Sequence, residues 1–132
     1  MLSTFRDVKK VALLIIGTFL FLFPIIVSAQ EFSGVTGIVT DSSGAVIPGV
    51  QVKLLDTKTS KEYTVTTTNQ GVYTFNNIPP GSGYRITFTM QNFQTLVLNE
   101  VALGVGKTET QNIQMNPGQV TETVQITSSS GD

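Results

Sequence analysis

The sequence predicts an all-β protein, a small sandwich of antiparallel strands behind an N-terminal hydrophobic segment. Three observations predict it. From Val35 onward, runs that alternate apolar and polar residues follow one another, each closed by Gly, Pro, Asn, Asp or Ser. The same region is rich in Thr and Val, which suit a pleated sheet. No stretch after residue 30 carries apolar residues at a helical spacing.

The first 29 residues read differently. Arg6, Lys9 and Lys10 make a positive start, and Val11 to Val27 is apolar except for Gly17, Thr18 and Pro24. Val27-Ser28-Ala29 then supplies small or permissive residues before a cut. That is the layout of a secretory signal peptide spanning 1–29, removed between Ala29 and Gln30. An uncleaved membrane anchor is the alternative, at the short end of a spanning length. The expectation is an exported protein, associated with the periplasm or outer membrane, or secreted. The chain has no Cys, so it has neither a lipid acceptor nor disulfides.

Seven strands are expected in the rest. "VTGIVT" (Val35 to Thr40) is followed by the connection "DSSGAVIPG", with turn formers at both ends. "VQVKLL" (Val50 to Leu55) puts Val50, Val52 and Leu54 on one face. "YTVTTT" (Tyr63 to Thr68) and Val72 to Phe75 flank "NQG". "YRITFTM" (Tyr84 to Met90) puts Tyr84, Ile86 and Phe88 on one face, and Gln94 to Leu103 is a sixth run, open to a bend. Lys107 to Met115 is the seventh. Seven short strands make an immunoglobulin-like or prealbumin-like antiparallel sandwich over residues 30–116. Its expected core is Val39, Val50, Val52, Leu54, Val65, Tyr73, Phe75, Ile78, Tyr84, Ile86, Phe88, Phe93, Leu96, Leu98, Ile113 and Met115. Residues 117–132 read as a linker or tail in which Val120 to Thr127 alternates. Val120, Val124 and Ile126 of that stretch form a possible strand for a partner or a following domain.

Composition narrows the chemistry. The chain contains no His, Cys or Trp, and net charge is −1. His-assisted nucleophiles, thiolate catalysis and the usual zinc sites are therefore excluded. A weakly acidic chain does not suit a nucleic-acid partner. Charged residues are 13% of the chain, roughly half the ordinary share of ~25%. The remaining carboxylates are scattered singly, and no pair suggests glycoside hydrolysis. No catalytic residue, cofactor or metal is expected.

The loops read as turns. Asp41 and Gly44 bound an Asx-type turn, because one carboxylate and two hydroxyls fall short of calcium's oxygen shell. Gly49 closes the first connection, and Gly71 ends a hairpin turn at Asn69-Gln70-Gly71. Pro79-Pro80-Gly81 fits a type II turn, with Gly81 taking the positive φ and Ile78 tucked beneath as a plug. "GVGKTET" ends like a phosphate loop. The first Gly of that motif would fall at Val101, and a strand follows rather than a helix.

These turn and core residues resemble the carboxypeptidase regulatory-like domain. The resemblance rests on "GIVTDSSGAVIPGVQVKLLD" (Gly37 to Asp56), "TTTNQGVYTFNNIPPGSGYRITF" (Thr66 to Phe88) and "NFQT" (Asn92 to Thr95), and covers about residues 34 to 116. It implies a prealbumin-like sandwich without catalytic residues. Two departures stand out: the usual P-P-G-x-Y is one residue longer here, and Asn92 stands where the pattern has Gly. Asn is the next most tolerant residue for a left-handed backbone. The order of signal peptide, this domain and an alternating tail is similar to the start of TonB-dependent outer-membrane receptors of the Oar-like kind. By that resemblance the chain is a truncated receptor or a free-standing relative. Its partner is then a protein or a following plug and barrel, and its membrane contact is the signal segment or that barrel. A carbohydrate-binding module is the alternative. It is disfavoured by the lack of Trp and by Tyr63 being the one Tyr outside the expected core.

Overall fold

The computed structural model describes residues 7–8, 31–119 and 123–127. The chain divides into two compact units, Met1–Gln30 and Glu31–Asp132. Of the first, only Asp7 and Val8 are described, and both are helical. The expected signal peptide and its cleavage site therefore lie outside the described residues. Among the described residues no helix is long and apolar enough to cross a membrane.

The second unit is built of β1 (Ser33–Thr40), β2 (Gln51–Asp56), β3 (Lys61–Thr66), β4 (Val72–Ile78), β5 (Gly81–Thr89), β6 (Thr95–Leu103), β7 (Thr108–Thr110), β8 (Ile113–Gln114) and β9 (Thr123–Thr127). One sheet runs β4-β1-β7, with β8 also pairing β1, and the other runs β3-β2-β5-β6-β9. The two-sheet all-β architecture matches the expectation. The strand count and pairing differ: the described residues hold nine strands instead of seven, and the sheets are mixed. β7 and β8 both pair β1 in parallel, and β9 pairs β6 in parallel.

The expected seventh strand is split for a visible reason. The ladder breaks at Gln111–Asn112, where the Gln111 carbonyl leaves it to accept the Tyr73 hydroxyl at 2.7 Å. Asn112 then lends its side chain, accepting from Ile38 N at 3.1 Å. Pairing to β1 continues on both sides of the break, through Gln111 N to Thr36 O and Met115 N to Thr40 O, each 2.8 Å. Gly37 makes the break possible: a Cβ there would run into the Gln111 carbonyl. A glycine inside a strand often marks such an approach.

Alternation sets the core. Val35 and Val39 of β1, Val52 and Leu54 of β2, Tyr73 and Phe75 of β4, and Ile86 and Phe88 of β5 are all buried between the sheets. The expected core is buried throughout except Val65 and Phe93, which pack against it partly exposed. Val35, Ile47, Val101 and Leu103 join it. Each fully buried side chain of this kind contributes about 1.5–3 kcal/mol. The exposed Lys53–Glu62 pair at 3.3 Å is worth about 0–1 kcal/mol. Apolar burial therefore holds the fold, which explains how so sparsely charged a chain folds. No buried side-chain polar atom of the described residues lacks a hydrogen bond.

Three register shifts interrupt the antiparallel ladders, between Ser33 and Val35, between Gly81 and Tyr84, and between Tyr84 and Ile86. Ser33 pairs Ile78 while Val35 pairs Phe75, so β4 carries an extra residue, and Asn77 there has φ 57°. Tyr84 pairs Val101 while Ile86 pairs Leu98, and Glu100 takes φ 57° in the bulge of β6.

Candidate interaction surface

β1 and β4 are antiparallel, so Asp41 after β1 and Gly71 before β4 lie at the same end of the sandwich. Gly44 and Gly49, in the β1–β2 connection, belong to that end. Their φ values are 86° and 76°, and Gly71 has 71°. Asp41 makes the expected Asx turn. Its Oδ1 accepts from Ser43 N at 2.8 Å, Ser43 Oγ at 2.6 Å and Ala45 N at 3.0 Å. The Ser43 hydroxyl above all, with the backbone amides, holds this carboxyl below its usual range. The loop is then pinned from beneath. Buried Thr67 donates its hydroxyl to Ile47 O at 2.8 Å and accepts from Val50 N at 2.9 Å.

The turn at Asn69-Gln70-Gly71 forms, with Gly71 N donating to Thr68 O at 2.8 Å. It does not close a hairpin, because β3 and β4 belong to different sheets. The chain crosses from one sheet to the other at Gly71 and crosses back at Pro79-Pro80.

Pro79, Pro80 and Gly81 sit at the opposite end, after Ile78 has paired with Ser33. The expected type II turn is not what forms. Gly81 is nearly extended, with φ 159°, and already pairs Leu103 as the first residue of β5. The left-handed φ of 87° belongs to Gly83. The additional residue in P-P-G-Ser-Gly-Tyr is absorbed as an irregularity between Gly81 and Tyr84. There the Gly83 carbonyl accepts the Thr57 hydroxyl at 2.6 Å. Ile78 is buried as expected, and the Tyr84 hydroxyl donates to Pro79 O at 2.7 Å.

The chemistry-bearing candidates resolve into structure. Gly106-Lys107 is a tight turn, with Lys107 N donating to Gly104 O, and Thr108 opens a strand. Among the described residues no three His, Cys, Asp or Glu side chains come together to hold a metal. Tyr63 is half-buried against the core, with the Lys61 ammonium 5.0 Å from its ring centre. Its ring is therefore already engaged on one side.

The tail supplies the surface that turn chemistry leaves over. Val120 lies outside the described residues. Thr123–Thr127 is not an unpaired linker: it adds to β6 in register, Val124 opposite Leu96 and Ile126 opposite Leu98. Leu96 and Leu98 are buried, yet Val124 and Ile126 are 38% and 45% exposed. β9 thus carries the apolar inner face of its sheet past the covered core, and it is the terminal strand of that sheet. Period-two alternation was the signal for this strand. Its parallel partner, over the break at Asn116–Gly118, was not readable.

Two sheets of bulged strands closed over one apolar core define the class of β-sandwich modules. Within that class, the carboxypeptidase regulatory-like domain matches residues 34–116, and the chain belongs to that family. No curated protein matches the chain. Solved structures share the fold. The TIE protein of Bacillus anthracis superposes with TM-score 0.57 at 14% identity, over 66% of this chain and 17% of that one. A putative carbohydrate binding protein from Bacteroides uniformis gives TM-score 0.55 at 18% identity, over 66% and 42%. Hydroxyquinol 1,2-dioxygenase from Pseudomonas putida gives 0.55 at 8% identity, over 70% and 58%. This chain therefore spans less than two thirds of each of these proteins. Their differing names illustrate that a shared fold does not carry a shared activity.

Proposed function

We propose that this chain is an exported, non-catalytic β-sandwich module that makes protein–protein contact in the cell envelope, as the N-terminal extension of a TonB-dependent receptor-like protein or a fragment of one. The observation that carries the contact is β9, a terminal strand whose Val124 and Ile126 remain exposed. Unpaired strand edges with apolar side chains favour addition of a partner strand. Family membership supports the accessory character, and the positive start, apolar run and Val27-Ser28-Ala29 support export. Two measurements test the reading. Mass spectrometry of the protein recovered from the envelope should find an N-terminus at Gln30; recovery of 1–29 would favour an anchor. A photo-crosslinking residue at Gln125 should capture protein in intact cells, whereas a probe at Thr64, on the far terminal strand, should not. Equal capture at both positions would remove β9 as the contact edge.

The carbohydrate reading keeps one supporting observation, the fold shared with the putative carbohydrate binding protein. Tyr63, the one Tyr outside the expected core, is packed against the core and under Lys61. Titration with soluble glycans should give no binding heat.

A further inference from the structure

We propose that β9 pairs with β9 of a second copy of this chain, antiparallel, about a two-fold axis through Gln125. This rests on the reading of β9 as the contact edge and names its partner. The strand reads Thr-Val-Gln-Ile-Thr from Thr123 to Thr127. It is nearly the same in both directions. An axis through Gln125 sets Thr123 opposite Thr127, Val124 opposite Ile126, and Gln125 opposite itself. A two-fold contact must be self-complementary in this way. Every pair it creates is favourable in kind: β-branched residue on β-branched residue, hydroxyl on hydroxyl, and an amide that both donates and accepts facing its copy.

The other terminal strands are less suited to the same contact. β3 carries Lys61 and Glu62, so a copy would bring charges into the seam. β4 is bulged at Asn77, with φ 57°. β7 has three residues, one of them Glu109, and β8 has two. β9 contains no charge, proline or glycine and has no register shift against β6. Proteins guard exposed edges with charges and bulges, and β9 has neither. Pairing would also cover Val124 and Ile126, whose counterparts Leu96 and Leu98 are already buried. The seam is short, so the dimer is weak and concentration-dependent; stable interfaces bury more than about 1,000 Å².

The test is sedimentation of the whole purified protein up to about 1 mM. The expected result is a monomer–dimer equilibrium. Gln125→Lys and Gln125→Glu each place like charges opposite one another and should weaken it by about tenfold or more. An equimolar mixture of the two should regain association as the mixed dimer, because only a two-fold through residue 125 sets Lys against Glu. Thr64→Lys should leave association unchanged. Amide spectra of each variant confirm that the sandwich is intact, which separates loss of pairing from loss of fold. A monomer throughout the range overturns self-pairing, and so does a dimer indifferent to both Gln125 substitutions. A monomer whose probe at Gln125 still captures a different protein would sink the self-pairing alone and leave the contact reading standing.

Discussion

At the scale of single residues, backbone sign decides which glycine matters. Gly83 holds φ 87°, and a Cβ there would lie 3.2 Å from Thr57 Oγ1. Gly81 is nearly extended, and its added Cβ would meet nothing nearer than the Tyr84 ring at 3.9 Å. Gly83→Val should therefore cost about 1–3 kcal/mol in urea melts. Gly81→Val should cost less than Gly83→Val, because its φ of 159° lies at the extended limit and its added Cβ meets nothing closer than 3.9 Å. Two aspartates act by the same local logic. Asp56 is held below its usual range mainly by the Thr59 hydroxyl, then by backbone amides at Lys58 and Thr59, as Asp41 is by Ser43. A carboxyl depressed by folding contributes stability above its unfolded pKa and loses it as pH falls through the folded value. Stability should hold at neutral pH and fall below about pH 4. The Asp41→Asn, Asp56→Asn double variant should flatten that acid limb in melts taken across the range.

At the scale of elements, one buried hydroxyl fixes the longest described connection. Thr67 is 5% exposed and bridges Ile47 O and Val50 N across the base of the β1–β2 loop. Thr67→Val keeps the shape and leaves both backbone groups unpaired, so it should cost about 1–3 kcal/mol. Hydrogen exchange should quicken at Val50 before it quickens in β5. The elements were legible where a pattern of period two meets one partner face, as in Val50 to Leu55 and Tyr84 to Met90. The left-handed Asn92, with φ 67°, was legible too, because Asn stood where the family pattern has Gly. What was not legible depends on distant chain. Nothing local to Lys107–Met115 reveals that Gln111 must turn its carbonyl toward Tyr73, or that Gly37 leaves room for it. The extra residue before Tyr84 was visible, but its place could be assigned only once β5 was paired with β6. The partner of β9 was hidden for the same reason: alternation reports faces, not neighbours or direction.

At the scale of the whole molecule, Tyr73 joins the two sheets. Its ring meets Phe75 of its own strand edge-on at 6.3 Å, and Phe88 of the opposite sheet edge-on at 5.3 Å. Its hydroxyl reaches the break between β7 and β8. Burial raises its pKa, so the folded state favours the protonated phenol. A pKa raised by folding contributes stability that is present below the unfolded value, near pH 10, and fades above it. β9 is the opposite case, an element exposed at every residue that contributes little to the closed core. Tyr73→Ala should therefore cost about 3–5 kcal/mol, and Tyr73→Phe, which loses only the bond to Gln111, about 0.5–1.5 kcal/mol. Ending the chain after Gly118 should cost less than Tyr73→Phe in dilute solution, because among the described residues it removes pairing to β6 and no buried side chain. The same truncation should abolish concentration-dependent association. If it instead lowered the melting temperature as far as Tyr73→Ala does, β9 would be a wall of the sandwich, and its exposed Val124 and Ile126 would no longer mark a surface left open for another chain.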